Sequence, residues 1–362
     1  MTRATTALID LDALTHNLQR ARRAAPIQRV AVAIKANAYG HGLLRVARAL
    51  QDADAFAVAS IDEAMTLREG GIQHPILLLE GAFEAAEIPL CSQWKLALAI
   101  HHVLQVEMLE RTPVERPVRA WLKIDTGMHR LGITPELTQT YWQRLRECPS
   151  VDPDIRLMSH LARADERDNA YTLQQLQIFE EAAGDLPGER SLANSAAVLG
   201  WPNTHFDWVR PGIMVYGASP FADSLAEEEG LLPVMTLSTE LIAIHRLRKG
   251  QAVGYGGAWI CPEDMDVGVA AIGYGDGYPR YAPSGTPVSL NGRIAPLVGR
   301  VSMDMITLDL RQQPDARIGD PVVLWGRGLP VEIIARAAGT IPYTLLCGVT
   351  ARVKFQEYSS EN

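Results

Sequence analysis

Val30-Ala31-Val32-Ala33-Ile34-Lys35-Ala36-Asn37-Ala38-Tyr39-Gly40-His41-Gly42 is an apolar run of strand length that ends in one lysine and passes into a polar, glycine-bounded turn. An ammonium at a strand end is costly to desolvate. A lysine in a dry pocket gives up its charge readily, and the neutral amine condenses with aldehydes to form a Schiff base. A lysine that merely extends its ammonium into water reads the same at this level.

Seven more short apolar runs follow: Ala55–Ala59, Ile76–Leu79, Leu96–Ile100, Arg119–Ile124, Ile155–Ser159, Ser191–Ala193 and Trp208–Arg210. Amphipathic stretches separate them, such as 60–69, whose Ser60-Ile61-Asp62-Glu63 start has the spacing of a capping box. Eight strands with helical crossovers predict an α/β fold, a TIM-like (β/α)8 barrel of parallel strands. A doubly wound open sheet fits the same pattern. From about Leu232 the texture changes to short β-branched runs between Gly, Pro and Asn-Gly turns, among them Leu237–Leu247, Val267–Ile272 and Thr350–Phe355. That predicts a C-terminal all-β domain. The polar segment Ser219–Leu232 reads as the linker, so residues 11–230 form the expected barrel and 231–362 the expected β domain.

Composition narrows the function. The chain has 362 residues, 47% of them hydrophobic, enough for a large core and two or more domains. With 42 acidic against 34 basic residues the formal charge is -8, so no nucleic-acid partner is expected; the partner should be a small molecule. Cys91, Cys148, Cys261 and Cys347 are scattered, without the spacing of a zinc site or a disulfide frame. They read as reduced cytosolic thiols. The first ten residues lack a signal-peptide core and no run is long enough to span a bilayer, so a cytoplasmic protein without a membrane partner is expected.

A barrel places its chemistry at the carboxyl ends of its strands. Lys35, His160, Asn194-Ser195 and Arg210-Pro211-Gly212 all fall there. Phosphate requires close backbone N–H groups or a small hydroxyl, which Ser195, Gly212 and Ile213 supply in the loops after the last two strands. Arg210 reads either as a charge aimed at a ligand or as a structural partner of Asp207.

Lys35-Ala36-Asn37-Ala38-Tyr39-Gly40-His41-Gly42 resembles the cofactor-lysine motif of the alanine racemases, and the resemblance extends over nearly the whole chain. It implies a barrel joined to a β domain, with residues 1–10 contributing to the latter. It implies pyridoxal 5'-phosphate on Lys35 and interconversion of L- and D-alanine by two bases. Asn194, Ser195, Gly212 and Ile213 then cradle the cofactor phosphate, which Tyr39 and Tyr343 also reach. Arg210, linked to His160, takes the place beside the ring nitrogen that many related cofactor enzymes give to an acidic residue. A guanidinium there keeps the nitrogen unprotonated and favours proton return over transamination.

Tyr255, in Val253-Gly254-Tyr255-Gly256-Gly257, matches the second catalytic base and implies a homodimer with shared active sites. A tyrosine of ordinary pKa, about 10, needs positive charge nearby to act as a base. Arg130 and the His160–Arg210 chain are the expected sources. Arg130, in Asp125-Thr126-Gly127-Met128-His129-Arg130, matches the arginine on the substrate carboxylate, and Lys123 a lysine able to carry a carbamate. His129 stands where many relatives have glycine. Ser302-Met303-Asp304 resembles the loop giving a backbone contact to that carboxylate, and Tyr274 an entryway tyrosine. Remaining alternatives are a racemase of other amino acids such as serine, a barrel-class decarboxylase, and a non-catalytic binder of the cofactor. No metal is implied.

Overall fold

The computed structural model describes residues 3–360; Met1, Thr2, Glu361 and Asn362, at the ends of the expected first and last domains, lie outside the described residues. Two compact units emerge. One is Thr15–Val215 with Pro220–Ser224, and the other holds the described parts of Met1–Leu14, Tyr216–Ser219 and Leu225–Asn362.

The first unit is a closed barrel of eight parallel strands: β2 (Arg29–Ala33), β3 (Ala55–Val58), β4 (Ile76–Leu78), β5 (Leu96–Ile100), β6 (Arg119–Lys123), β7 (Arg156–Met158), β8 (Arg190–Ser191) and β9 (Trp208–Val209). Closure is made by β2 against β9, with Arg29 opposite Trp208 and Val30 opposite Val209. That excludes the open sheet. Small alanines on β2, β3 and β5 leave room inside for Trp121, Met158 and Trp208, and these side chains together make a packed barrel core. The two indoles meet edge to face at 5.8 Å. At the amino ends of the strands the Arg156 guanidinium stacks over both rings, and Glu189 pairs with Arg156 and Arg29. Replacing Trp208 by alanine is expected to cost about 3–5 kcal/mol, the range for a buried large aromatic. Urea unfolding reads this as a lower midpoint; a loss below about 1 kcal/mol would show that the core collapses around the gap.

One local expectation fails. The helix Ile61–Glu69 starts after Ser60, but the Ser60 side chain makes no capping bond. The Glu63 carboxylate reaches back past Ser60 to the Ala59 N–H at 2.9 Å, so the reciprocal pair of a capping box is not formed.

The second unit is built on β1 (Thr6–Asp10), which pairs antiparallel with β10 (Met235–Leu247) and parallel with β18 (Lys354–Tyr358). The remaining strands are β11 (Ala252–Val253), β12 (Trp259–Ile260), β13 (Met265–Ala270), β14 (Pro287–Leu290), β15 (Arg293–Pro296), β16 (Ile306–Asp309) and β17 (Pro321–Trp325). Thirteen-residue β10 is long enough to serve β1, β13 and β17. The last strand begins at Lys354 and not at Thr350, because Thr350–Val353 is a turn closed by the Val353 N–H on the Thr350 carbonyl. Two short helices, Val331–Ala337 and Pro342–Cys347, make the unit strand-rich but not all-β.

Candidate active site at the carboxyl ends of the barrel strands

Lys35 does more than end a strand. It opens a turn in which Ala36, Asn37, Ala38 and Tyr39 all have φ between 51° and 53°, one left-handed helical turn of non-glycine residues. Each such residue costs roughly 1–2 kcal/mol. The offsetting bonds are Ala38 N–H to Ile34 O (2.8 Å), Gly40 N–H to Ala36 O (3.1 Å) and Gly42 N–H to Asn37 O (3.0 Å). Asn37 adds its own, accepting from the Leu43 N–H at 2.8 Å. Burial pushes the His41 imidazole down to about 4, so it is neutral, and its Nδ1–H donates to the carbonyls of Tyr39 and Ala38. The turn therefore holds Lys35, half-buried, at the barrel mouth.

Beside it, across the β2–β9 seam, lies a corner suited to an oxyanion. Asn194 caps the helix Ser195–Gly200 through Oδ1, which accepts the Ala197 N–H at 3.1 Å, and its Nδ2 donates to Leu161 O. The Ser195 hydroxyl accepts from the Gly212 N–H at 2.8 Å and the Met214 N–H at 3.4 Å, while buried Ile213 starts the tight turn Ile213–Tyr216. Gly212 has no room for a side chain: a Cβ would sit 2.5 Å from the Tyr39 hydroxyl. Backbone, a small hydroxyl and a phenol thus crowd one spot, the donor set that a phosphate requires.

Arg210 is buried, and its guanidinium bonds the Ser191 hydroxyl and the Ser159 carbonyl. The Asp207 carboxylate instead accepts the Arg190 N–H at 2.7 Å. The structural-partner reading of Arg210 is therefore set aside, and among the described residues no carboxylate neutralises it. Burial lowers its pKa only to about 10, so it stays charged. Lys123, also buried, is pushed down to about 8 by burial and then by Arg210, Arg130 and Lys35. His160 falls well below its ordinary value, by burial first and then by Arg210, Arg130, Lys123 and Lys35. An uncharged imidazole corrects one expectation: His160 is not itself a source of positive potential, which comes from Arg210 and Arg130.

His129 has φ 54°, the left-handed conformation that favours glycine. Its N–H donates to Asp125 Oδ1 at 3.0 Å and its Nδ1 meets Oδ2 at 3.1 Å, a local bond that offsets the strain. Burial alone would raise the Asp125 pKa; the N–H groups of His129 and Gly127 and the imidazole lower it overall. Arg130 follows at the exposed rim of a cleft that Lys123, Asp125, Ser159 and His160 also line.

The first unit thus gathers Lys35, Tyr39, Lys123, Arg130, His160, Asn194, Ser195, Arg210, Gly212 and Ile213 at the carboxyl ends of its strands. Tyr255, Tyr274, Ser302, Met303, Asp304 and Tyr343 belong to the second unit. Tyr255 is 68% exposed, in a short turn after Gly254. The Ser302 and Met303 carbonyls accept the N–H groups of Tyr274 and Gly275, at 3.0 and 2.9 Å, which ties these two loops together. Asp304 is bound by Arg3 and Arg352, and Arg3 also reaches buried Asp276 at 2.8 Å. Residues to which the sequence assigned no role complete the first-unit site, namely Ser159, Ser191, Gln175 and, inside the Asp125–Arg130 segment, Thr126. Only their position at or just after strand ends could have drawn notice to Ser191 and Ser159.

Residues 9–220 match the family model "Alanine racemase, N-terminal domain" and residues 234–357 match "Alanine racemase, C-terminal domain". An alanine racemase of Nitrosococcus oceani is 57% identical over 348 residues, covering 96% of this chain and 97% of that one. The biosynthetic alanine racemase of Escherichia coli K12 is 50% identical, covering 97% and 98%. The crystal structure of biosynthetic alanine racemase from Pseudomonas aeruginosa superposes with a TM-score of 0.96 at 48% identity, covering 99% of this chain and 100% of that one. On two domain models, full-length relatives and a matching fold, this chain belongs to the alanine racemase family.

Proposed function

We propose that this chain interconverts L- and D-alanine with pyridoxal 5'-phosphate, acting as a homodimer in the cytoplasm and supplying D-alanine for the cell wall. The observation that carries the reading is a buried, charged Arg210 bonded to neutral oxygens, on the same barrel face as the Lys35 amine. Lys35 would hold the cofactor covalently. Ser195, Gly212, Ile213, Asn194, Tyr39 and Tyr343 would hold its phosphate, a fit supported by the close approach of the Tyr39 hydroxyl to the Gly212 backbone, which a Cβ would block. When bound, the cofactor supplies the electron sink that makes the α-proton of the amino acid acidic.

The Lys35 amine then takes or returns that proton on one face of the α-carbon. The Tyr255 hydroxyl does the same on the other face, since a single base cannot serve both without moving around the carbon. Exposed Tyr255 is available to enter a partner's barrel mouth. Arg130 pairs with the substrate carboxylate, to which the Met303 loop adds a backbone contact. Lys123, with its pKa of about 8, presents some neutral amine at neutral pH that would add to carbon dioxide and release a proton to solvent, and the carbamate anion would balance Arg130. Ser302, Asp304 and Tyr274 shape the substrate entry.

Chiral analysis of products from a panel of L-amino acids tests the reading. D-alanine should dominate. Carbon dioxide with an amine would instead establish a decarboxylase, a dominant D-serine signal a racemase of other range, and bound cofactor without turnover a binding protein. Arg210→Glu is expected to raise transamination, read as pyruvate formed from alanine, by about tenfold or more relative to racemisation, the scale of one pKa unit moved at the ring nitrogen. An unchanged ratio in a folded, cofactor-loaded variant would contradict the electronic role of Arg210.

A further inference from the structure

Gln175 lies in the helix Tyr171–Ala183, is fully buried, and has no part in the chemistry above. Its amide nevertheless touches two catalytic loops. Oε1 accepts the Ala162 N–H at 2.8 Å, and Nε2 donates to His160 O at 3.1 Å and to Thr126 Oγ1 at 3.3 Å. From there the hydroxyls run in one direction. The Ser159 hydroxyl donates to Ile124 O at 2.7 Å, so at the 2.9 Å contact between Thr126 and Ser159 it is Thr126 that donates. Ser159 is also the residue whose carbonyl accepts the Arg210 guanidinium.

We propose that Gln175 and Thr126 are positioning residues: they fix the end of β7 against the end of β6, and so hold His160 and Arg210 in the attitude that racemisation uses. This rests on the function proposed above. A buried amide left without partners is expensive, so Gln175 tolerates only the loop spacing at which all three of its bonds form. Thr126 is the joint, because its one hydroxyl accepts from the helix and donates to β7. Neither residue touches the reacting carbon. Their effect passes through the carbonyl of Ser159 to the orientation of the buried guanidinium.

The test compares Thr126→Val, which keeps the shape and removes the hydroxyl, with Thr126→Ser, which keeps the hydroxyl. In the valine variant kcat should fall about 3- to 10-fold, the worth of one such bond, with the KM for alanine within about twofold. The ratio of pyruvate to racemised alanine should rise. The serine variant should stay near wild type in all three quantities. Ser159→Ala, which removes the same link and leaves the Ser159 carbonyl in place, should move in the valine direction and serves if Thr126→Val does not load cofactor. An unchanged pyruvate ratio in both Thr126→Val and Ser159→Ala overturns the inference, as does equal impairment of the serine and valine variants. Wild-type protein run alongside separates the two levels. If it racemises while the variants match it, only the positioning role fails; if it does not racemise, the function fails and this role with it.

Discussion

Lys35→Ala is expected to lose the borohydride-fixed pyridoxyl label and to reduce racemisation by about 10^4-fold or more, the upper end of what a positioned acid–base group supplies. The loss is compound, because on the proposed function one amine both tethers the cofactor and serves one face of the α-carbon. Peptide mapping after borohydride reduction locates the label. The informative rival is Lys123, whose pKa near 8 also gives a usable neutral fraction. Lys123 is enclosed, however, whereas Lys35 stands half-open at the start of the left-handed turn. A label on Lys123 in the wild-type protein would end the assignment of Lys35.

Tyr255→Phe is expected to cost about 10^2- to 10^4-fold in racemisation while the label on Lys35 remains. Removing one base leaves the other face still able to exchange its proton. Solvent deuterium should therefore enter alanine of one configuration faster than the configuration inverts. Mixing Lys35→Ala with Tyr255→Phe subunits under exchange conditions should restore activity, because a hybrid dimer holds one site with both residues intact. If exchange is demonstrated and the mixture stays inactive, the shared site is wrong even for a working racemase.

The barrel was legible because each strand is a short apolar run and each crossover an amphipathic one; even two-residue β8 is marked by the apolar run around Ser191. The site was legible where a motif sits beside a strand end, as with Lys35, Asn194-Ser195 and Arg210. Four left-handed residues at 36–39 were not, because alanine carries no signature of that conformation and the supporting bonds come from a histidine and an asparagine of ordinary appearance. Charge states were equally hidden. His160 is neutral because it is buried and because Arg210, Arg130 and Lys123 push its pKa the same way, and no local sequence reveals neighbours brought from other strands. The supposed box at Ser60 failed locally: Ser60 makes no capping bond and the Glu63 carboxylate accepts the Ala59 N–H.

Closure of β2 on β9 also has a meaning in time. The Lys35 turn is among the first parts of the chain to leave the ribosome, while Arg210 and Gly212, against which Tyr39 packs, follow some 175 residues later (210 − 35). At about 5–20 residues per second the wait is on the order of ten to thirty-five seconds. On the function proposed above, Lys35 has no phosphate corner beside it until Gly212 is made, so a nascent chain lacks the phosphate contacts of the finished site. On that reading, the corner that would retain the cofactor is completed only when the last strand joins the first.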